Sequence, residues 1–180
     1  MNIMYIIFAY LIGSIPTAYL YFKIKNKKDI RNYGSGNSGA LNIFRLCSFN
    51  AAAIVLLIDL IKSSCIAIIG KNIDISDSVF YIGTMMAVIG HNFPFYLKFK
   101  GGRGVAVASG ITLITIPIPA ISAGITIAII TLILKSPLWG IVIGALVLNA
   151  LNIIINQSFI IFLWCGSISL IILFPHLSRR

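Results

Sequence analysis

A chain of 180 residues that is 59% hydrophobic and 10% charged, with a mean hydropathy of +1.02, lies far from soluble domains, in which roughly a quarter of residues are charged. It reads as an integral membrane protein. Four acids, all aspartate, face fourteen lysines and arginines, a formal charge of +10; in a soluble chain that excess points to nucleic acid, but here the cations answer first to the bilayer, and no nucleic-acid partner is expected.

A bilayer core takes about 20 helical residues, and the apolar runs at about 3–22, 46–69, 79–97, 104–116, 120–134, 138–155 and 159–174 predict seven helices. The first run holds Gly13 and Pro16 in "GSIPTAYL", read as close-packing and kink residues. It has no basic segment before it and a dense one after it, the pattern of an uncleaved anchor with its N-terminus outside. The segment "RNYGSGNSGALNIFR", Arg31 to Arg45, separates the first two runs. In the second run, Asp59 and Lys62 are spaced i, i+3 and predict a structural ion pair inside the bundle.

The third run closes on "GHNFP", with His91 near its end, and leads into a second glycine cluster, "LKFKGGRGVA". The fourth and fifth runs are short and are separated by "PIP", Pro117 to Pro119; one kinked helix is the alternative to two spans. Charge favours two. With seven spans, twelve of the fourteen cations share one face: Lys23 to Arg45, then Lys98, Lys100, Arg103, Lys135, Arg179 and Arg180. That face is cytoplasmic by the positive-inside rule. The reading is an all-α polytopic protein, one domain over 1–180, N-terminus outside and C-terminus cytoplasmic, without internal repeats. Cys47, Cys65 and Cys165 lie scattered in apolar runs and read as packing residues, not a disulfide set or metal site.

Two glycine-rich cationic loops thus fall on one membrane face, and such loops suit anions. Glycine permits positive φ and close approach to the main chain, so successive N–H groups can face one phosphate. Ser35, Asn37, Ser38 and Asn42 would add neutral donors and Arg45 a planar fork, while Lys100 and Arg103 flank the second cluster. Two loops suit two phosphates.

In this order, "GSIPTAYL", "DIRNYGSGNSGALNIFR", "LLIDLIKSS" and "AVIGHNFPFYLKFKGGRGVA" resemble the segments of the bacterial acyl-phosphate:glycerol-3-phosphate acyltransferases, over about residues 10 to 110. The resemblance implies transfer of a fatty acyl group from acyl phosphate to the 1-hydroxyl of glycerol 3-phosphate, giving lysophosphatidic acid, in the bacterial inner membrane with the active site facing the cytoplasm. It implies Ser35, Arg45, His91 and Arg103 as catalytic residues. Gly34, Gly36, Asn37, Ser38, Gly39, Asn42, Lys100, Gly101, Gly102 and Gly104 would bind the phosphates, with no metal and no cofactor. Partners are the two substrates, membrane lipids and, as a candidate, the soluble enzyme that forms acyl phosphate. The chain departs from the family pattern at Arg103, usually lysine, at Ser63, usually glycine, and in its tail, where "FPHLSRR" offers His176 alone for a longer phosphate-binding pattern. A transporter of an anionic metabolite and a catalytically silent lipid-binding relative are the competing readings.

Overall fold

The computed structural model describes residues 2–178, and among these it contains nine α-helices and two short 3-10 turns; Arg179 and Arg180 of the cationic face lie outside the described residues. The helices are α1 (Asn2–Gly13), α2 (Thr17–Asn26), α3 (Ala40–Leu46), α4 (Phe49–Asn72), α5 (Asp77–Asn92), α6 (Val105–Thr115), α7 (Pro117–Leu134), α8 (Pro137–Asn156) and α9 (Phe159–Ser178). Among the described residues five stretches are long and apolar enough to cross a membrane: the combined α1–α2, then α4, α7, α8 and α9, with α6 a shorter apolar helix. At 16 residues, α5 is about 24 Å long, short of a full hydrocarbon core.

Boundaries follow local chemistry. The first apolar run is broken between α1 and α2 because Pro16 lacks an N–H and biases the residue before it away from helical geometry. The second starts three residues later than its apolar run, where Ser48 Oγ accepts from the Ala51 N–H at 3.2 Å and caps α4. The third ends at Asn92 instead of about 97, since Pro94 cannot continue it and Phe95–Leu97 forms a separate turn. The fourth and fifth runs are two helices: the chain leaves helical geometry at Ile116 and restarts on Pro117 at the first helical position.

Small residues set the helix contacts. Gly13 lies against the Ala87 backbone, Gly83 under the Tyr5 ring and Gly110 against Leu60 and Ser63, each so close that a Cβ would collide. In a bilayer, where apolar burial does not drive helices together, such close packing and interhelical hydrogen bonds do. Tyr5 OH donates to the Ile66 carbonyl at 3.1 Å, Trp164 Nε1 to Thr84 Oγ1 at 3.0 Å, and Asn92 Nδ2 to the Ile171 carbonyl at 2.9 Å.

These pairs fix direction. Tyr5 meets Ile66 and Thr17 meets Asp59, so the first run and α4 are antiparallel; Gly140 beside Thr131 and Gly144 beside Ala123 make α7 and α8 antiparallel. Thr84 with Trp164 and Asn92 with Ile171 make α5 and α9 parallel. The segments 27–48 and 93–104, the Lys135 turn and the His176 end of α9 therefore gather at one end of the bundle, while Lys71, bonded to the Ile114 carbonyl, marks the other.

Candidate functional site

The first loop is braced from both sides. Asp29 accepts from the Arg31 N–H at 2.9 Å, and the Arg31 guanidinium folds back on the same carboxylate, Nη2 to Oδ2 at 2.7 Å. The Arg31 hydrogen bond, more than any other influence, holds the Asp29 carboxyl below its ordinary range. The remaining guanidinium nitrogen, Nη1, donates to the Leu97 carbonyl at 2.8 Å, tying the first loop to the second.

Further on, Gly34 and Gly36 take φ of 60° and 69°, turns that a side chain would strain. Asn42 is nearly completely buried and is spent inside the loop. Its Nδ2 donates to the carbonyls of Tyr33 and Asn37, each at 3.0 Å, and its Oδ1 accepts from the Ser35 N–H at 3.0 Å. Asn42 thus shapes the turn that sequence reasoning gave it to bind phosphate with. Ser38 Oγ and Asn37 Oδ1 are buried with no hydrogen-bond partner among the described residues.

The second loop doubles back on the end of α5. The N–H groups of Gly101 and Gly102 donate to the carbonyls of Asn92 and His91, both at 3.0 Å, so these two amides serve the loop and do not point to a ligand. Gly102 abuts the His91 ring, where a Cβ would lie 2.7 Å from Cδ2. Gly104, at φ 77°, starts α6, whose first turn carries no acid; its positive end suits an anion.

Beneath the loops lies a charged cluster. Asp59 Oδ1 accepts from Thr17 Oγ1 at 2.8 Å and lies 2.8 Å from Lys62 Nζ and 3.8 Å from His91 Nδ1. Lys62 also donates to the carbonyls of Gly13 and Ile15 at 3.2 and 2.7 Å. Those carbonyls belong to the broken turn before Pro16, so the ion pair expected from the i, i+3 spacing also satisfies the backbone that the break leaves open.

A cavity of ≈ 730 Å³ joins these parts. Asn37 and Gly39 from the first loop, Arg103 and Gly104 from the second, with Asp59 and His91, line its polar end; His176 of α9 also reaches it. Its other walls are apolar faces of α4, α6 and α7, including Leu60, Leu113, Ile121 and Ile125. Burial, followed by the neighbouring Arg45 charge, pulls the Arg103 guanidinium below its ordinary range. Of the other expected ligands, Ser35, Arg45 and Lys100 are solvent-exposed and outside the cavity lining, and Gly34 and Gly36 shape the loop. Sequence reasoning gave no site role to Thr17 and treated Asp59 as structural only; the i, i+3 polar pair in an apolar run was the one signal for it.

Fold and site together define an integral membrane protein in which one cavity joins a polar end lined by both glycine loops to apolar helix faces. The family model described as glycerol-3-phosphate acyltransferase matches residues 3–179. A glycerol-3-phosphate acyltransferase of Thermoanaerobacter pseudethanolicus is 36% identical over 176 residues, covering 96% of this chain and 87% of that protein. One from Listeria monocytogenes is 33% identical over 170 residues, covering 93% and 85%. The crystal structure of PlsY (YgiH), an integral membrane glycerol 3-phosphate acyltransferase in its glycerol 3-phosphate form, superposes with a TM-score of 0.91 at 27% identity, covering 99% of this chain and 89% of that one. The chain belongs to the glycerol-3-phosphate acyltransferase family.

Proposed function

We propose that the chain transfers a fatty acyl group from acyl phosphate to the 1-hydroxyl of glycerol 3-phosphate. The hydroxyl oxygen bonds to the acyl carbon, the bond from that carbon to the phosphate oxygen breaks, and the hydroxyl proton passes to the departing phosphate. The products are lysophosphatidic acid and inorganic phosphate. The observation that carries this reading is the single cavity lined by both glycine loops at one end and by bare apolar helix faces at the other. Phosphate is a good leaving group, so the protein's task is to hold two mutually repelling anions in line and stabilise developing negative charge.

In this reading Arg103, Arg45, Lys100 and the positive end of α6 neutralise the phosphates at the mouth, with Ser35, Asn37 and Ser38 as neutral donors. Asn42, Gly34, Gly36, Gly101 and Gly102 hold the loops in shape. His91, between Asp59 and Gly102, faces the reacting groups, and the acyl chain lies between α6 and α7. The chain makes one domain with seven crossings, its N-terminus outside and its active site at the cytoplasmic face of the bacterial inner membrane. The gathering of Lys23 to Arg45, Lys98 to Arg103 and Lys135 at one end supports that orientation.

The test is turnover by protein purified in detergent, given glycerol 3-phosphate with acyl phosphate, acyl-CoA or acyl-carrier protein in separate reactions. Lysophosphatidic acid from acyl phosphate alone is expected. Product from acyl-CoA alone, or from no donor, overturns the reading.

A further inference from the structure

A carboxylate is an unwelcome wall for a cavity that takes anions, yet Asp59 lines this one beside His91 and Arg103. Its charge is balanced by Lys62, and Thr17, Lys62 and His91 all address the same oxygen, Oδ1. No described residue hydrogen-bonds Oδ2, so it is the oxygen that Asp59 has left for a ligand in the cavity it lines. An ionised carboxylate only accepts hydrogen bonds, so the ligand group it fits is a hydroxyl or an amine. An ion pair that served only to cap the broken turn before Pro16 would not need an oxygen facing the cavity.

We propose that Asp59 Oδ2 accepts a hydrogen bond from the C2 hydroxyl of the acceptor, making Asp59 the residue that selects a polyol phosphate over other phosphate monoesters. This rests on the acyl-transfer reading above. The C1 hydroxyl must be free to attack, which leaves the C2 hydroxyl as the donor. With the phosphate at the loops, the glycerol carbons point inward, toward the carboxylate and the apolar arm where the acyl carbonyl lies. Lys62 holds Asp59 in place, and Thr17 occupies the other carboxylate oxygen, Oδ1. A site that pairs a substrate hydroxyl rejects the analogue lacking it, because the buried acceptor is then left without a partner.

The experiment compares glycerol 3-phosphate with 3-hydroxypropyl phosphate, which keeps the attacking hydroxyl and the phosphate but lacks the C2 hydroxyl, using palmitoyl phosphate as donor. Wild-type protein should favour glycerol 3-phosphate in kcat/KM by roughly 10- to 100-fold, the worth of one hydrogen bond to a charged group. In Asp59→Asn that ratio should shrink, because Thr17 and Lys62 hold the amide oxygen and turn the NH2 to the cavity. Because Asp59→Asn leaves Lys62 unbalanced, a D59L/K62M double variant replaces the pair with apolar groups, and there the preference should vanish. A ligand-induced thermal shift with each phosphate ester reads the same preference without turnover. Absence of product from glycerol 3-phosphate would count against the acyl-transfer reading alone. Equal use or equal binding of the two esters by wild-type protein, or an unchanged preference in the folded variants, would overturn the role of Asp59.

Discussion

Gly102→Ala is the sharpest probe of how the second glycine loop works. A methyl there would stand 2.7 Å from His91 Cδ2 and closer still to Nε2, whereas ordinary contact begins near 3.4 Å. The ring cannot retreat freely, since Asp59 Oδ1 lies 3.8 Å from its Nδ1 on the far side. Nor can the loop lift without losing the Gly102 N–H bond to the His91 carbonyl at 3.0 Å. Overpacking of this kind costs about 1–3 kcal/mol of stability, and a reacting group misplaced by about 1 Å loses on the order of 100-fold in rate. Lysophosphatidic acid formation measures the second quantity and thermal unfolding in detergent the first. His91→Ala supplies the control: with the ring gone the added methyl has room, so Gly102→Ala should destabilise the His91→Ala protein far less than the wild type. A Gly102→Ala protein within about threefold of wild-type kcat/KM, or stability losses that simply add in the double variant, would refute the contact as the cause.

Asn42→Ala removes three hydrogen bonds worth about 1 kcal/mol each from residues 33–37; hydrogen exchange across that loop should quicken and KM for glycerol 3-phosphate rise. Lys62→Met leaves Asp59 a buried charge without its partner and removes the donor that the Gly13 and Ile15 carbonyls share, so it should destabilise by about 3–5 kcal/mol in detergent unfolding, with part of the loss recovered in D59L/K62M. The Asp29–Arg31 brace should depend on pH. The Asp29 carboxyl is held below its ordinary range by Arg31, so its contribution is complete above the unfolded carboxylate's pKa and is lost as pH falls through the lower folded value. Opening of residues 27–37, read as hydrogen exchange corrected for the intrinsic rate of each amide, should therefore increase in acid below the usual carboxylate range and stay constant between pH 6 and 8, and an increase already present at neutral pH would count against the brace.

Composition and the spacing of apolar runs made the helices legible, because a bilayer sets a length that sequence can be measured against. What they could not resolve were the ends. Pro94 stopped α5 five residues before the apolar run did, and Ser48 moved the start of α4, since capping is a matter of one side chain and leaves hydropathy unchanged. The two glycine loops were recognisable as partners, but the division of labour within them was not. Asn42 and Ser35 look alike to sequence as neutral donors; burial spends one on the loop's own backbone and leaves the other in solvent. Gly101 and Gly102 look like a phosphate cradle, yet their amides bond back to the carbonyls of Asn92 and His91, a pairing that depends on the turn at Pro94 bringing the loop back.

The break in the first apolar run and the reacting end of the cavity are parts of one device. The break at Pro16 takes the Gly13 carbonyl out of the helical ladder and leaves the Ile15 carbonyl with the Thr17 N–H alone from the backbone, at 3.1 Å; in a hydrocarbon environment such carbonyls must find donors. Lys62 supplies them, and a lysine buried there needs an anion beside it, which is Asp59. Asp59 then takes Thr17 from the restarted helix, stands beside His91, and His91 in turn fills the space that only a glycine at 102 leaves open. Each polar group is therefore required by the one before it. Repairing the break, as in Pro16→Ala, would return the backbone bonds to the helix and release Lys62 from the two carbonyls while leaving it paired with Asp59, so that the pair shifts beside His91. The expected result is a protein at least as resistant to unfolding as wild type but with reduced turnover, a combination that loss of packing alone does not produce. Should Pro16→Ala lower stability and leave kcat/KM unchanged, the break would be a packing feature with no hold on the site.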